Sequence, residues 1–311
     1  MRILVLGAGA LGGYYGSRLL EAGADLAFLV RARRQEQLRQ NGLVVHCPVF
    51  GTTRRTVTAL QASEVQPGWD LVLLTCKAYD LEDAIAAIRP AMGPETAILP
   101  VLNGLAHIGR LQEAFGEAAV LGGVARIQAT LTPEGEVRNF AQWRALTVGE
   151  MDGRMTPRVT DFVALAAKGG IQAEASPDIR GALWAKLVML GTLAGATVLM
   201  RGTVGQILRS PGGTDFLRIL LERNAAIAAH HGAPLAPKVL ETIQAIFTDP
   251  ASKLTASMLR DLEGGGRIES DAILGELLEG ARRAGIEPVL HEVIMLHART
   301  YEQRRAEEAG P

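Results

Sequence analysis

The sequence predicts an α/β protein with a doubly wound N-terminal domain over residues 1–176 and an all-helical domain over residues 177–311. In the first part, short apolar runs alternate with helical patterns, which is typical of a parallel sheet covered by helices. In the second part only helical patterns occur. The pair Ser176–Pro177 marks the junction, because serine followed by proline favours a turn or a helix start.

The first sixteen residues carry the strongest signal for a nucleotide site. Residues 3–6 form an unbroken apolar run, a glycine-rich turn follows, and a helical pattern begins directly after it. Strand, turn and helix in this order are typical of the pyrophosphate site of a Rossmann-type domain, where the helix N-terminus favours an anion. The predicted cofactor contacts in this turn are Gly7, Ala8, Gly9, Ala10, Leu11 and Gly12.

The residue after the second predicted strand favours NADP(H) over NAD. Residues 25–30 form this strand, and Arg31 follows where an NAD site usually has an acidic residue for the ribose 2′-hydroxyl. A guanidinium at this position can bind a 2′-phosphate. The alternative is that the basic residues from Arg31 to Arg34 form the solvated start of a helix that extends to Gly42.

Two polar residues follow the next two buried strands. Lys77 follows residues 71–76, and Asn103 follows residues 97–102. The carboxyl ends of parallel strands meet at the edge where open α/β sheets bind ligands. A surface lysine and an Asn-Gly turn are the ordinary alternatives. The equivalent placement of both residues favours a site, with Asn103 facing the nicotinamide.

Three further segments have clear local patterns. Residues 43–47 and 53–58 alternate like strands around Phe50–Gly51, which predicts a hairpin at the edge of the sheet. Residues 132–135 predict a turn, and residues 271–285 predict one continuous helix.

Lys186 is the only charged residue in the apolar stretch 181–200. The stretch is long enough to span a bilayer, but its lysine and glycines favour a buried helix of a soluble domain. Desolvation would lower the pKa of this lysine and make it a usable proton donor near neutral pH.

A second polar cluster, residues 257–271, surrounds the three glycines 264–266. Its charged side chains crowd the start of the next helix, so the loop could reach toward a cofactor. The alternative is a glycine turn followed by an N-cap at Ser270 or Asp271, and the residues alone favour this alternative.

Composition indicates a cytoplasmic protein that binds neither nucleic acid nor membranes. The formal net charge of −1 gives no electrostatic attraction to nucleic acid or to an anionic membrane surface. The two cysteines, Cys47 and Cys76, form no metal-ligand pattern and suit a reducing compartment. The long apolar helices of the second half would serve a core or the contact of a homodimer, and the sequence leaves both open.

The pattern as a whole resembles the ketopantoate reductase family, the 2-dehydropantoate 2-reductases, over nearly the full chain. The order and spacing of several motifs together carry the resemblance, although each motif alone is unspecific. They are GAGALG at 7–12, Arg31, Lys77 in CKAYD, Asn103–Gly104 in LPVLNGL, Trp184 and Lys186 in ALWAKL, and Ser257 through Asp271.

The resemblance implies a Rossmann domain, a helical domain of the 6-phosphogluconate dehydrogenase type and an active site in the cleft between them. It implies NADPH-dependent reduction of a small 2-oxo acid, specifically 2-dehydropantoate to pantoate in pantothenate biosynthesis. By this similarity Lys186 is the proton donor, and Glu269 contacts the cofactor or the lysine. Asn103 contacts both substrate and cofactor, Ser257 binds the substrate, and Lys77 binds the cofactor.

The chain departs from the family at three positions. The family commonly has asparagines one and two helical turns after the lysine, where this chain has Leu190 and Ala194. A further asparagine before a glycine is replaced by Val204. An apolar wall pairs poorly with a polyhydroxylated acid, which opens the alternative of a related reductase for a less polar 2-oxo acid. A second alternative is an NADP(H)-binding sensor without turnover.

Overall fold

The computed structural model describes residues 1–140 and 142–309. The chain divides into two compact units. The nucleotide-binding unit comprises Met1–Leu102 and His107–Ile179, and the helical unit comprises Asn103–Ala106 and the chain from Arg180 onward. The first unit is mixed α/β and the second is helical, which confirms the predicted fold class.

Within its described residues, the nucleotide-binding unit contains three sheets. Its strands in chain order are β1 (Arg2–Leu6), β2 (Asp25–Leu29), β3 (Leu43–Cys47), β4 (Gly51–Arg55), β5 (Thr58–Leu60), β6 (Leu71–Leu74), β7 (Ala97–Pro100), β8 (Leu121–Arg126), β9 (Ala129–Leu131), β10 (Val137–Asn139), β11 (Ala145–Glu150) and β12 (Gln172–Ala175). The helices over the same part of the chain are α1 (Ala10–Glu21), α2 (Ala32–Asn41), α3 (Leu81–Ile88), α4 (Ala106–Phe115) and α5 (Pro157–Lys168).

The central sheet positions the predicted nucleotide site. Its five strands are all parallel and follow the order β5-β2-β1-β6-β7, with β1 in the middle. The central strands are apolar and buried, as in β6, whose four residues are all buried, because helices cover both faces of such a sheet. The carboxyl ends of β1, β2 and β6 therefore lie at one common edge of the sheet, and proteins of this architecture bind their ligands at that edge.

The predicted edge hairpin is partly wrong. β3 and β4 pair in antiparallel fashion, but they belong to a separate sheet of order β4-β3-β10-β9. The edge strand of the central sheet is instead β5, whose Thr58 pairs with Ala27 of β2. Only two residues separate β4 from β5. The sequence pattern therefore does not indicate that the chain passes from one sheet to another between them.

The helical unit contains α6 (Ile179–Met200), which begins at the last residue of the other unit, α7 (Val204–Arg209), α8 (Gly213–His230), α9 (Pro237–Ala245), α10 (Ser257–Glu263), α11 (Glu276–Arg283) and α12 (Val289–Ala309). The predicted single helix 271–285 is wrong in detail. It consists of a π-helical turn, Asp271–Gly275, that leads directly into α11. The short helix α7, which the sequence analysis missed, begins with a capping box of Thr203 and Gln206.

The apolar helix α6 is a core helix. It alone among the described helices is long and apolar enough to cross a membrane, with a mean hydropathy of 1.6, but 67% of its most apolar window is buried inside the protein. Leu187, Val188 and Val198 are almost fully buried in the core of the helical unit. The helix thus gains its stabilisation from protein packing, as its lysine and glycines indicated.

Candidate active site

The glycine turn after β1 brings α1 into close contact with the sheet. Gly7 has a φ of +94°, a left-handed conformation that favours glycine, and its N–H donates to the Leu29 carbonyl over 2.9 Å. A Cβ at Gly12 would collide with the Gly7 carbonyl oxygen. Behind the turn, the Thr75 hydroxyl donates to the Leu6 carbonyl at 2.7 Å. The turn can therefore keep this shape only with glycine at both positions.

A cavity of about 800 Å³ opens above this turn, at the carboxyl ends of β1, β2 and β6. Gly9, at the N-cap of α1, borders the cavity, and a Cβ there would meet no protein atom within 4 Å. The first N–H groups of an α-helix have no intrahelical acceptors, and no described side chain caps those of α1, so they are available to an anion. Open space beside these donors is what a bound pyrophosphate requires, so the residues present fit a dinucleotide.

The cavity brings together only some of the predicted cofactor residues. Gly7, Ala8, Gly9 and Arg31 border it, together with Cys76 after β6. The four remaining residues of the nucleotide-binding unit predicted to contact the cofactor do not border it in the described structure; they are Ala10, Leu11, Gly12 and Lys77. Lys77 is half-buried and precedes a short 3₁₀ turn, Ala78–Asp80.

Arg31 lies at the mouth of the cavity in the N-cap position of α2, with its side chain 76% exposed. Its Nη2 lies 3.3 Å from Asp80 Oδ1 and 3.7 Å from Asp83 Oδ2, and both aspartates also border the cavity. Sequence analysis missed these partners, because Asp80 and Asp83 carry only the ordinary pattern of an acidic helix start.

Arg34 has a structural role that the sequence analysis left open. Its guanidinium donates to the Ala8 carbonyl at 3.0 and 2.7 Å and to the Gly135 carbonyl at 2.8 Å. Burial lowers the pKa of this arginine from its usual range. The side chain ties the glycine turn to the predicted turn 132–135, which forms another wall of the cavity. These donors are therefore used within the protein.

The residues predicted to act on the substrate all belong to the helical unit. Lys186 is half-buried on α6, and Ser257 is the partly buried first residue of α10. Glu269 is 7% exposed, and Asn103 is half-buried in the tetrapeptide 103–106. The simple N-cap interpretation is wrong for Ser270, which has helical φ and ψ angles and makes no capping hydrogen bond through its side chain.

The three positions that depart from the family differ in exposure. Ala194 and Val204 are completely buried in the core of the helical unit, whereas Leu190 is half-buried at the margin of that core. The asparagines expected there are thus replaced by two core residues and one partly exposed leucine.

The parallel sheet, the glycine turn and the cavity define a dinucleotide-binding protein of the Rossmann class. Two family models, described as "Ketopantoate reductase PanE/ApbA" and "Ketopantoate reductase PanE/ApbA C terminal", match residues 3–153 and 178–302. The chain belongs to the ketopantoate reductase family and is an oxidoreductase of that family.

Proteins similar to this chain are named for different activities. The "Uncharacterized oxidoreductase YkpB" of Bacillus subtilis is 33% identical over 98% of this chain and 100% of its own length. The crystal structure of 2-dehydropantoate 2-reductase from Methylococcus capsulatus has a TM-score of 0.86 and 28% identity, and covers 98% of both chains. A D-mandelate dehydrogenase with NADH and anilino(oxo)acetate shares the fold, with a TM-score of 0.87 and 19% identity, and the match covers 98% of this chain and 99% of the other.

Proposed function

We propose that this protein is an NADPH-dependent 2-oxo acid reductase that converts 2-dehydropantoate to pantoate, as in pantothenate biosynthesis. Membership of the ketopantoate reductase family supports the proposed reaction class. The observation that carries the cofactor assignment is Arg31 at the mouth of the cavity above the glycine turn. The two cysteines, Cys47 and Cys76, form no disulfide among the described residues, which accords with a cytoplasmic enzyme.

The cofactor preference rests on charge at the end of β2. A 2′-phosphate near Arg31 would gain a charge-assisted, bidentate pairing that NAD(H) cannot make. The guanidinium is largely exposed, so it can turn toward a ligand at small desolvation cost. No acidic residue stands at position 31 itself to accept the ribose 2′-hydroxyl of NAD(H).

In the proposed reaction, a reduced nicotinamide supplies the hydride when bound. Hydride transfer to the oxo carbon places negative charge on its oxygen, and the Lys186 ammonium stabilises that charge and donates its proton. The products are the 2-hydroxy acid and the oxidised cofactor, and the lysine regains a proton from water. Asn103 and Glu269 orient the reacting groups, and Ser257 binds the substrate.

A second substrate class is favoured by a specific observation. Ala194 and Val204 offer no surface to a ligand, and Leu190 offers only an apolar one. The hydroxyl of 2-dehydropantoate would lose the amide partners expected from the family, which costs binding energy unless another group replaces them. A less polar 2-oxo acid, such as a branched-chain one, would suffer no such loss.

Steady-state oxidation of NADPH with a panel of 2-oxo acids tests the proposal. We expect the highest kcat/KM with 2-dehydropantoate; a clearly higher value with 2-oxoisovalerate would establish the second substrate class instead. Tight NADPH binding without oxidation by any member of the panel would show a sensor. Parallel assays with NADH separate the cofactor assignment from the substrate assignment.

A further inference from the structure

Asn103 is bound to the helical unit although it lies only three residues after the end of β7, a strand of the nucleotide-binding unit. The tetrapeptide Asn103–Ala106 groups with the helical unit, whereas the chain before Asn103 and after Ala106 groups with the other unit. Lys186, Ser257 and Glu269 lie in the same helical unit. Contacts within this unit must therefore hold the tetrapeptide in place.

The main contact is a pair of hydrogen bonds to one carboxylate. The Leu105 N–H donates to Glu276 Oε2 at 2.7 Å, and the Ala106 N–H donates to the same carboxylate. Burial raises the pKa of Glu276, while the two N–H groups and the Arg283 charge favour its ionised form. A partly desolvated carboxylate with two backbone donors forms strong, directional bonds.

Two further contacts make the arrangement specific. Gly104 has a φ of +85°, and a Cβ there would collide with the Ala272 carbonyl oxygen and lie 3.3 Å from Glu276 Oε2. The Leu105 side chain packs against the core of the helical unit. Backbone conformation, hydrogen bonds and side-chain packing thus all fix the tetrapeptide on the same surface.

The surface that holds the tetrapeptide is continuous with Glu269. Ala272 lies in the π-helical turn Asp271–Gly275, which separates Glu269 and Ser270 from Glu276 at the start of α11. Such turns occur often at functional sites, because they change the register of a helix locally. One short segment, 269–276, therefore carries Glu269 and the carboxylate that holds the loop of Asn103.

We propose that Glu276 is a positioning residue that fixes Asn103 relative to Glu269 on the helical unit. It acts through the backbone of Leu105 and Ala106, so Asn103 keeps its orientation before substrate arrives. This inference rests on the proposed function, in which Asn103 contacts substrate and cofactor. The sequence around residue 276 did not predict this role.

Three single variants of the full-length protein test the inference: Glu276→Ala, Glu276→Gln and Glu279→Ala. The control residue Glu279 lies on the same helix, is 54% exposed and forms an ion pair with Arg282.

We expect kcat with 2-dehydropantoate to fall about 10–100-fold in Glu276→Ala. The NADPH Kd, measured by fluorescence titration, should change less than about threefold, because the glycine turn supplies most phosphate contacts. Glu276→Gln retains an oxygen acceptor and should restore most of kcat.

Amide hydrogen exchange provides a readout that is independent of activity. The Leu105 amide should exchange faster in Glu276→Ala than in the parent protein, and the Glu279→Ala variant should leave it unchanged. Unaltered exchange at Leu105 in Glu276→Ala would overturn the inference. Because Glu276→Gln keeps an acceptor, it provides the comparison if the alanine variant fails to fold.

A double-mutant cycle with Asn103→Ala separates this inference from the proposed function. If Glu276 acts through Asn103, Glu276→Ala should add less than about twofold to the loss of kcat already caused by Asn103→Ala. Fully multiplicative losses would overturn the positioning role. Wild-type turnover in Asn103→Ala would instead overturn the role proposed for Asn103 itself, whatever the exchange data show for Glu276.

Discussion

Arg31 and Asp80 form an ion pair at the mouth of the nucleotide cavity, with 3.3 Å between Nη2 and Oδ1. The second carboxylate, that of Asp83, lies 3.7 Å from the same nitrogen. Two anions therefore balance the cation of Arg31, and a 2′-phosphate bound there as proposed would have to face both of them. The strength of the cofactor preference depends on how these charges compete.

Replacement of Arg31 by alanine should weaken NADPH binding far more than NADH binding. A charged hydrogen-bonded pair contributes about 1.5–3 kcal/mol, which corresponds to roughly a 10–150-fold increase in the NADPH Kd. Fluorescence titration with both cofactors measures this difference. Equal losses for NADPH and NADH would mean that Arg31 does not bind the phosphate.

Replacement of Asp80 by asparagine should have the opposite effect. Removal of one carboxylate beside the exposed Arg31 should tighten NADPH binding by up to about fivefold, because exposed pairs contribute at most about 1 kcal/mol. The gain should shrink in 0.5 M salt, which screens exposed charges. Asp25→Asn is the matched control, since Asp25 is an exposed aspartate in an ion pair at the other end of β2. A similar gain in this control would exclude a local effect.

Replacement of Lys186 should reduce turnover without comparable loss of cofactor affinity. Removal of a general acid typically costs 10²–10⁴-fold in rate, and we expect a decrease of roughly this size in kcat for Lys186→Ala. Lys186→Arg keeps a cation but has no readily transferable proton, so it should remain slow. Lys238→Ala, at an exposed lysine of α9, is the control. Normal kcat in Lys186→Ala would remove this residue from the mechanism.

Replacement of Gly12 by alanine should destabilise the nucleotide-binding unit. The added Cβ collides with backbone at Gly7, which cannot move without displacing α1 from β1. Overpacking of this kind costs about 1–3 kcal/mol, so denaturant midpoints should fall and NADPH should bind more weakly. Gly109→Ala in α4 is the control, because its Cβ meets no atom within 4 Å and alanine favours helix. A Gly12→Ala protein as stable as the parent would contradict the close packing.

The glycine turn could be predicted from sequence because strand, turn and helix are adjacent in the chain. The electrostatic partners of Arg31 could not, because Asp80 lies 49 residues away and resembles any acidic helix start. The same limit applies to Asn103. Its position after a strand predicted a site residue, but its place on the helical unit depends on distant contacts such as that of Leu105 with Glu276, 171 residues further on.

The stability of the helical unit should depend on pH through His291. This residue is 4% exposed, and its Nε2 lies 2.9 Å from Asn224 Oδ1, while Asn224 Nδ2 donates to Thr192 Oγ1 at 2.9 Å. Because the Asn224 oxygen is an acceptor, Nε2 of His291 carries the proton. Nδ1 is buried and has no hydrogen-bond partner among the described residues, so a second proton there would be unsatisfied. Burial, together with the charge of Arg223, lowers the pKa of His291 from 6.5 to about 4.

The sign of the effect follows from this depressed pKa. Well above pH 6.5 the histidine is neutral in both the folded and the unfolded state and contributes no pH dependence. As the pH falls through 6.5, His291 becomes protonated in the unfolded chain, whereas in the folded chain it stays neutral until about pH 4. The free energy of unfolding should therefore decrease by up to about 3 kcal/mol. Urea unfolding at several pH values between about 7.5 and about 4.5 measures this decrease. In His291→Gln this decrease of the free energy of unfolding at low pH should largely disappear, whereas replacement of the exposed His230 by glutamine should preserve it. Retention of the full pH dependence in His291→Gln would show that other groups cause it.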